Sequence, residues 1–202
     1  DIEVTQKTAW FMLHRIRYAF GHKNFKQTLK NDVQADETYM GGKDSNRHES
    51  KKMGSKGRSD DKTPVVGLIE TGGRVATTVM PWVTKRNVTE FINENMAKDA
   101  KLITDSNPVY YKIGEKHDHT IINHSLKEYK VGEFHTNSIE NYWSVLKRGI
   151  YGIYHQVSRK HLQQYCNEFA FRFNTRESKD SARFNLYLSS VDKRLTYKEL
   201  IK

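Results

Sequence analysis

A chain of 202 residues has room for one domain with a real hydrophobic core and little more. Its formal charge of +10, from 34 Lys/Arg against 24 Asp/Glu, points to a polyanionic partner, nucleic acid above all, and its eleven Tyr, nine Phe and three Trp argue against disorder. The single cysteine, Cys166, excludes an internal disulfide and a four-cysteine zinc ribbon and fits a reducing compartment. There is no signal peptide, and no apolar run approaches the roughly 18 residues of a membrane span. The chain begins at Asp1 without a methionine, as a piece of a longer protein would.

Residues 5–20, TQKTAWFMLHRIRYAF, predict an amphipathic helix with Ala9, Leu13, Ile16 and Phe20 as its apolar stripe and His14, Arg15 and Arg17 toward solvent. That basic face is either simply solvated or part of a lead-in from a DNA-binding region. VQADETYMGG (33–42) reads as a strand running into a glycine turn. Residues 43–62 carry seven Lys/Arg and four Asp/Glu with almost nothing apolar, which predicts a mobile basic loop inserted in the sheet. TPVVGLIE and RVATTVMPW flank Thr71-Gly72-Gly73, a hairpin signal. NVTEFINENMAKD predicts a helix with Asn87 and Glu90 as a capping box and Val88, Phe91, Ile92 and Met96 inward. KLITD (101–105) is a short buried strand, PVYYKIGEK a helical turn, and HTIINHSL a fifth strand. From about 138 to 176 the chain is helical with a break near Gly149–Gly152, and a loop with a short helix ends it. The expected architecture is α/β, a mixed five-stranded sheet flanked by helices. It divides into a helical lead-in (1–30), one sheet domain (31–176) and a tail (177–202).

Three carboxylates stand out against this order. Asp36 lies on the first strand, and only one of Asp36 and Glu37 can face a given side of the sheet. Asp105 ends a buried strand, where open α/β sheets collect their reactive residues, although it also suits the cap of the following turn. Glu140 sits on the opening turn of the helix HTNSIENYWSVLKR, whose stripe is Ile139, Trp143, Leu146 and Ile150. Asn137 at the N-cap with Glu140 three residues on would make a capping box, the structural rival to a functional glutamate. Lys147 follows Glu140 by two turns, on the same side of the helix. Two strand aspartates and a helix glutamate brought together repel unless a cation lies between them, and hard carboxylate oxygens suit Mg²⁺ or Mn²⁺. Such a site needs no Ser or Cys nucleophile, and Cys166, in YCNEFAF, reads as a core residue. Tyr142 and Trp143 read as core rather than as base-stacking platforms.

At these residues, DETYMGGK (36–43), ITDSN (103–107) and HTNSIENYWSVLKRGIYGIYHQVSRKHLQQYCNEFAFRFN (135–174), the chain resembles bacterial insertion-sequence transposases with an ISXO-like domain. The resemblance implies a ribonuclease-H-like fold and a D,D,E triad at Asp36, Asp105 and Glu140 that holds Mg²⁺ or Mn²⁺, two ions in all. Some branches carry Asn or His in the third position, which keeps Asn137 and Asn141 as alternative ligands. It also implies cleavage at element ends and joining of the 3′-OH to target DNA, with Lys147, Arg148, Arg159 and Lys160 on phosphates. The expected partners are DNA and at least one further copy of the chain, and the expected location is the bacterial cytoplasm, at DNA. Two rival functions are a ribonuclease-H-like nuclease that does not join ends, and a DNA-binding module whose metal site has lapsed.

Overall fold

The computed structural model describes residues 2–42, 62–111, 113, 117–123, 136–191 and 194–202. The expected basic loop at 43–62 lies, but for Lys62, outside the described residues. The first helix, α1, spans Gln6–Ala19, and Thr5 caps it by accepting the Thr8 N–H. Five strands follow: β1 (Asp32–Met40), β2 (Thr63–Glu70), β3 (Val75–Val79), β4 (Lys101–Asp105) and β5 (His119–Ile122). Helix α2 (Lys85–Asn95) lies between β3 and β4. After β5 come α3 (Asn137–Gly152), α4 (Arg159–Asn174), α5 (Asp180–Leu188) and α6 (Tyr197–Ile201).

The strands form one sheet in the order β3-β2-β1-β4-β5. β2 is antiparallel to both neighbours, and β1, β4 and β5 run parallel. This mixed order, with β1 central and helices on both faces, is the ribonuclease-H-like arrangement. The β2–β3 turn closes as its sequence predicts: Gly73 N–H donates to the Glu70 carbonyl, and Gly72 takes φ +70°, a conformation that favours glycine.

The strand period of two sends alternate β1 residues to two cores. Val33 and Ala35 join Leu68, Leu102 and the inner face of α2 (Val88, Phe91, Ile92). On the other side Met40, Val65 and Ile69 pack against α3 and α4. Gly149 lets these two helices close, because a Cβ there would collide with the Phe169 ring. Edge strand β3 is covered by amide side chains of α4. Asn174 brackets Val75 through N–H and C=O at 2.8 and 2.9 Å, while Gln163 accepts from Val79 N–H and donates to the Thr77 carbonyl. An edge so occupied is closed to a further strand.

Three local expectations are overturned. On α1, Leu13 and Ile16 are exposed (48% and 39%), whereas His14 and Arg17 are buried (1% and 3%) against α4. The reason is polar: α4 supplies Gln164 to His14 and Glu168 to Arg17. Helix α2 starts three residues earlier than predicted, with Thr84 in place of Asn87 as the N-cap and accepting the Asn87 N–H, so Asn87 and Glu90 form no capping box; Glu90 instead pairs with Arg86. The N-cap of α3 is Thr136 rather than Asn137.

Candidate active site

β1 and β4 pair in parallel up to Ala35 and Thr104. The next residues on each strand are Asp36 and Asp105, which therefore stand side by side on one face. That face is the one on which α3 lies: Gln34, Asp36 and Met40, at alternate positions, all meet it or its core. Glu37 points the other way, where Asn107 Nδ2 (2.6 Å) and the Tyr110 hydroxyl (3.0 Å) hold its carboxylate. One oxygen of Asp105 accepts the Asn107 N–H at 3.0 Å, so this aspartate shapes the turn after β4 as well as facing Asp36.

Trp143 of α3 reaches the sheet and donates its indole N–H to Asp36 Oδ2 at 3.0 Å. The approach depends on Gly67, the antiparallel partner of Asp36 on β2. A Cβ at Gly67 would lie 2.6 Å from the Trp143 ring. Burial pushes the Asp36 carboxyl from 3.8 up to about 7, the charges of Glu37 and Asp105 push the same way, and the hydrogen bonds from the Glu37 backbone and from Trp143 oppose them.

Glu140 lies one helical turn before Trp143, at the exposed start of α3, and accepts from the Thr136 hydroxyl at 2.9 Å. Asp36 and Asp105 are thus brought together, and Glu140 is carried by the helix that contacts Asp36. Among the described residues no three acidic, His or Cys side chains are gathered closely enough to hold an ion. Asn137 and Asn141 are exposed on the same opening turns. Of the expected phosphate contacts, Lys147 is half-buried, and Arg148, Arg159 and Lys160 are exposed along α3 and the start of α4. A cavity of about 600 Å³ lies elsewhere, between β3, α2 and α4, and none of these carboxylates lines it.

Sequence reasoning missed two contributors. Trp143 reads as core, and it is 4% exposed, yet its one polar atom serves Asp36. Gln34 is 1% exposed on a strand and bonds the start of α3. The available signal was a polar residue inside an apolar strand two positions before Asp36.

A family model for the ISXO2-like transposase domain matches residues 28–174, and so covers all three carboxylates and the whole sheet. The chain belongs to that family. No curated protein matches this transposase domain significantly. Among solved structures it is similar to the HTLV-2 integrase catalytic core in complex with magnesium, trimeric form, at 11% identity and a TM-score of 0.42, over 80% of this chain and 99% of that one. It is also similar to the BIV integrase catalytic core, at 14% identity and a TM-score of 0.44, over 80% and 95% of the two chains. These are likenesses of fold; the assignment of this sheet stands on its own strand order.

Proposed function

We propose that this transposase domain cleaves DNA strands and joins the resulting 3′-OH to target DNA at a divalent-cation site made by Asp36, Asp105 and Glu140. The observation that carries the reading is the pairing of two aspartates on one sheet face beneath the helix that bears the glutamate. The donor set fits a hard cation. Two adjacent carboxylates, one with its pKa raised to about 7 by burial and by its acidic neighbours, form a place where a positive charge is stabilising. Mg²⁺ or Mn²⁺ held there would supply activation of the attacking oxygen and stabilisation of the leaving one.

The protein's own groups divide the remaining work. Asp36 accepts from Trp143 at Oδ2 and from the Glu37 backbone, and its remaining lone pairs would meet a cation. Asp105 has one oxygen on the Asn107 N–H and is likewise left with a second. Glu140, on the helix above them, would complete the set. Lys147, Arg148, Arg159 and Lys160 hold phosphates and fix the register of the DNA end. No protein nucleophile takes part: Cys166 is fully buried, and burial pushes its thiol up to about 12.

Asp105→Asn tests the reading. The amide keeps the turn contact but loses the charge a cation needs. The variant is expected to fold, to bind DNA at least as well as the parent, and to lose both cleavage and joining in Mg²⁺ or Mn²⁺. Near-normal cleavage by the folded variant overturns the site. A parent that cleaves but never joins a pre-cut 3′-OH end is a nuclease instead.

A further inference from the structure

Helix α3 begins without a side-chain cap of its own: the hydroxyl of Thr136, its N-cap residue, accepts none of the first-turn N–H groups. Those that an N-cap normally satisfies, on the second and third helical residues, belong here to Ser138 and Ile139. Both donate to Oε1 of Gln34, each at 3.1 Å, a side chain that lies 104 and 105 residues earlier, on β1. The Gln34 amide nitrogen donates to the hydroxyls of Ser138 and Thr71, each at 3.3 Å. Two acceptances and two donations saturate a carboxamide, and the two backbone donors determine which end is oxygen. A buried, saturated glutamine therefore does for α3 what its own first residues do for α1, α2 and α6.

The second point of contact is the bond from Trp143 to Asp36. Gln34 to Asp36 is a rise of about 6.6 Å along a strand, and Ile139 to Trp143 a rise of about 6 Å along a helix. The two bonds thus match in spacing, and α3 runs beside β1 in the same direction. A third contact continues the line, where Tyr151 and the Gly41 backbone exchange hydrogen bonds at 3.1 and 3.2 Å. Glu140 lies between the first two points.

We propose that Gln34 is a positioning residue: by capping α3 from β1 it sets, together with Trp143 on Asp36, the register of the helical turn that carries Glu140 over the sheet face of the two aspartates. The inference rests on the cation site proposed above. Its consequence is that the helix start and the acidic site form one unit. Loosening the cap releases Glu140, and a cation held by Glu140 tightens the cap.

The test compares Gln34→Met, which keeps length and bulk without the cap, with Gln34→Glu, which still accepts both N–H groups. Thr84→Ala, removing the cap of α2, serves as a control for a lost helix cap away from the site. Mn²⁺ affinity without DNA is measured by electron paramagnetic resonance on each folded protein, beside kcat and KM for cleavage of an element-end DNA. Gln34→Met is expected to lose about 10- to 100-fold in Mn²⁺ affinity and in kcat, as for other supports of metal ligands, with KM for DNA within about twofold. Gln34→Glu is expected to restore most of both, and Thr84→Ala to lower Tm alone. Parent-like Mn²⁺ affinity and kcat in Gln34→Met, or no recovery in Gln34→Glu, overturns the proposal. If Gln34→Met does not fold, hydrogen exchange of the parent decides: saturating Mg²⁺ must slow exchange at the Ser138 and Ile139 amides, and unchanged rates overturn it. Asp105→Asn is run alongside. Unaltered Mn²⁺ affinity in that variant brings down the cation site, whereas a loss there with parent-like Gln34→Met brings down the clamp alone.

Discussion

Asp36 is where one charge bears most heavily on the fold. Its carboxyl titrates near 3.8 in an open chain and about 7 in the folded domain, chiefly through burial, so folding favours the protonated form. In a cation-free protein, the stability from keeping Asp36 neutral is fully present below about pH 4 and is lost as pH rises through about 7. Asp36→Asn removes that dependence. Thermal unfolding in chelator between about pH 4 and 8 should show the parent losing stability relative to the variant as pH rises, with the variant the more stable at the alkaline end. Parallel profiles would mean that Asp36 is ionised without strain. At this scale the places of Asp36 within β1, of Asp105 at the end of β4 and of Glu140 in the first turn of α3 are readable from the sequence. The bond from Trp143 to Asp36 is not, because its partners are 107 residues apart and an indole inside an apolar stripe looks like bulk.

Helix α1 is a case where periodicity picks the wrong face. Its apolar residues at helical spacing are half-exposed, and its interface is an ion-pair network instead. Arg17 Nε meets Glu168 at 2.7 Å, Arg172 meets the other carboxylate oxygen at 2.7 Å, and the Tyr154 hydroxyl donates to the same group at 3.2 Å. Arg17 also lies over the Tyr165 ring, 4.2 Å from its centroid. Charges this buried cost more when one partner is removed than when both are. Glu168→Leu alone is expected to destabilise the domain by about 3–5 kcal/mol, and Arg17→Met with Glu168→Leu to recover most of that. Denaturant unfolding of the two variants measures it, and equal losses in both would show that the pair acts only through its volume. The paired residues lie on two helices whose juxtaposition no local pattern announces.

For the whole molecule, the +10 charge bears on the proposed binding of DNA. Residues 147–176 hold six Lys/Arg, of which Arg172 meets Glu168 and Arg176 donates to the carbonyls of Gly72 and Gly73. Lys147, Arg148, Arg159 and Lys160 remain as the expected phosphate contacts. Binding to DNA of arbitrary sequence should weaken on the order of a thousandfold between 50 and 200 mM salt if about six phosphates are neutralised over the whole surface. Replacing those four by Gln should reduce the slope of log affinity against log salt by about 3 to 4. Titrations at several salt concentrations read both, and an unchanged slope in the variant would place the DNA on another face.

What is local in this protein was determined by its sequence alone. The apolar run KLITD makes β4 and puts Asp105 at its end, the 71–73 turn makes its hairpin, and the stripe from Ile139 to Ile150 makes α3 and buries one side of it. Strand and helix periods are properties of short stretches, and side-chain polarity expresses them directly. Pairing across the sheet was decided only in three dimensions. The parallel register of β1 on β4 puts Asp36 beside Asp105, Gly67 leaves the space through which Trp143 reaches Asp36, and Gln34 caps a helix that begins a hundred residues later. Each of these joins parts of the chain that carry no mark of one another in the sequence. A buried donor or acceptor must find a partner, and only the assembled fold decides which.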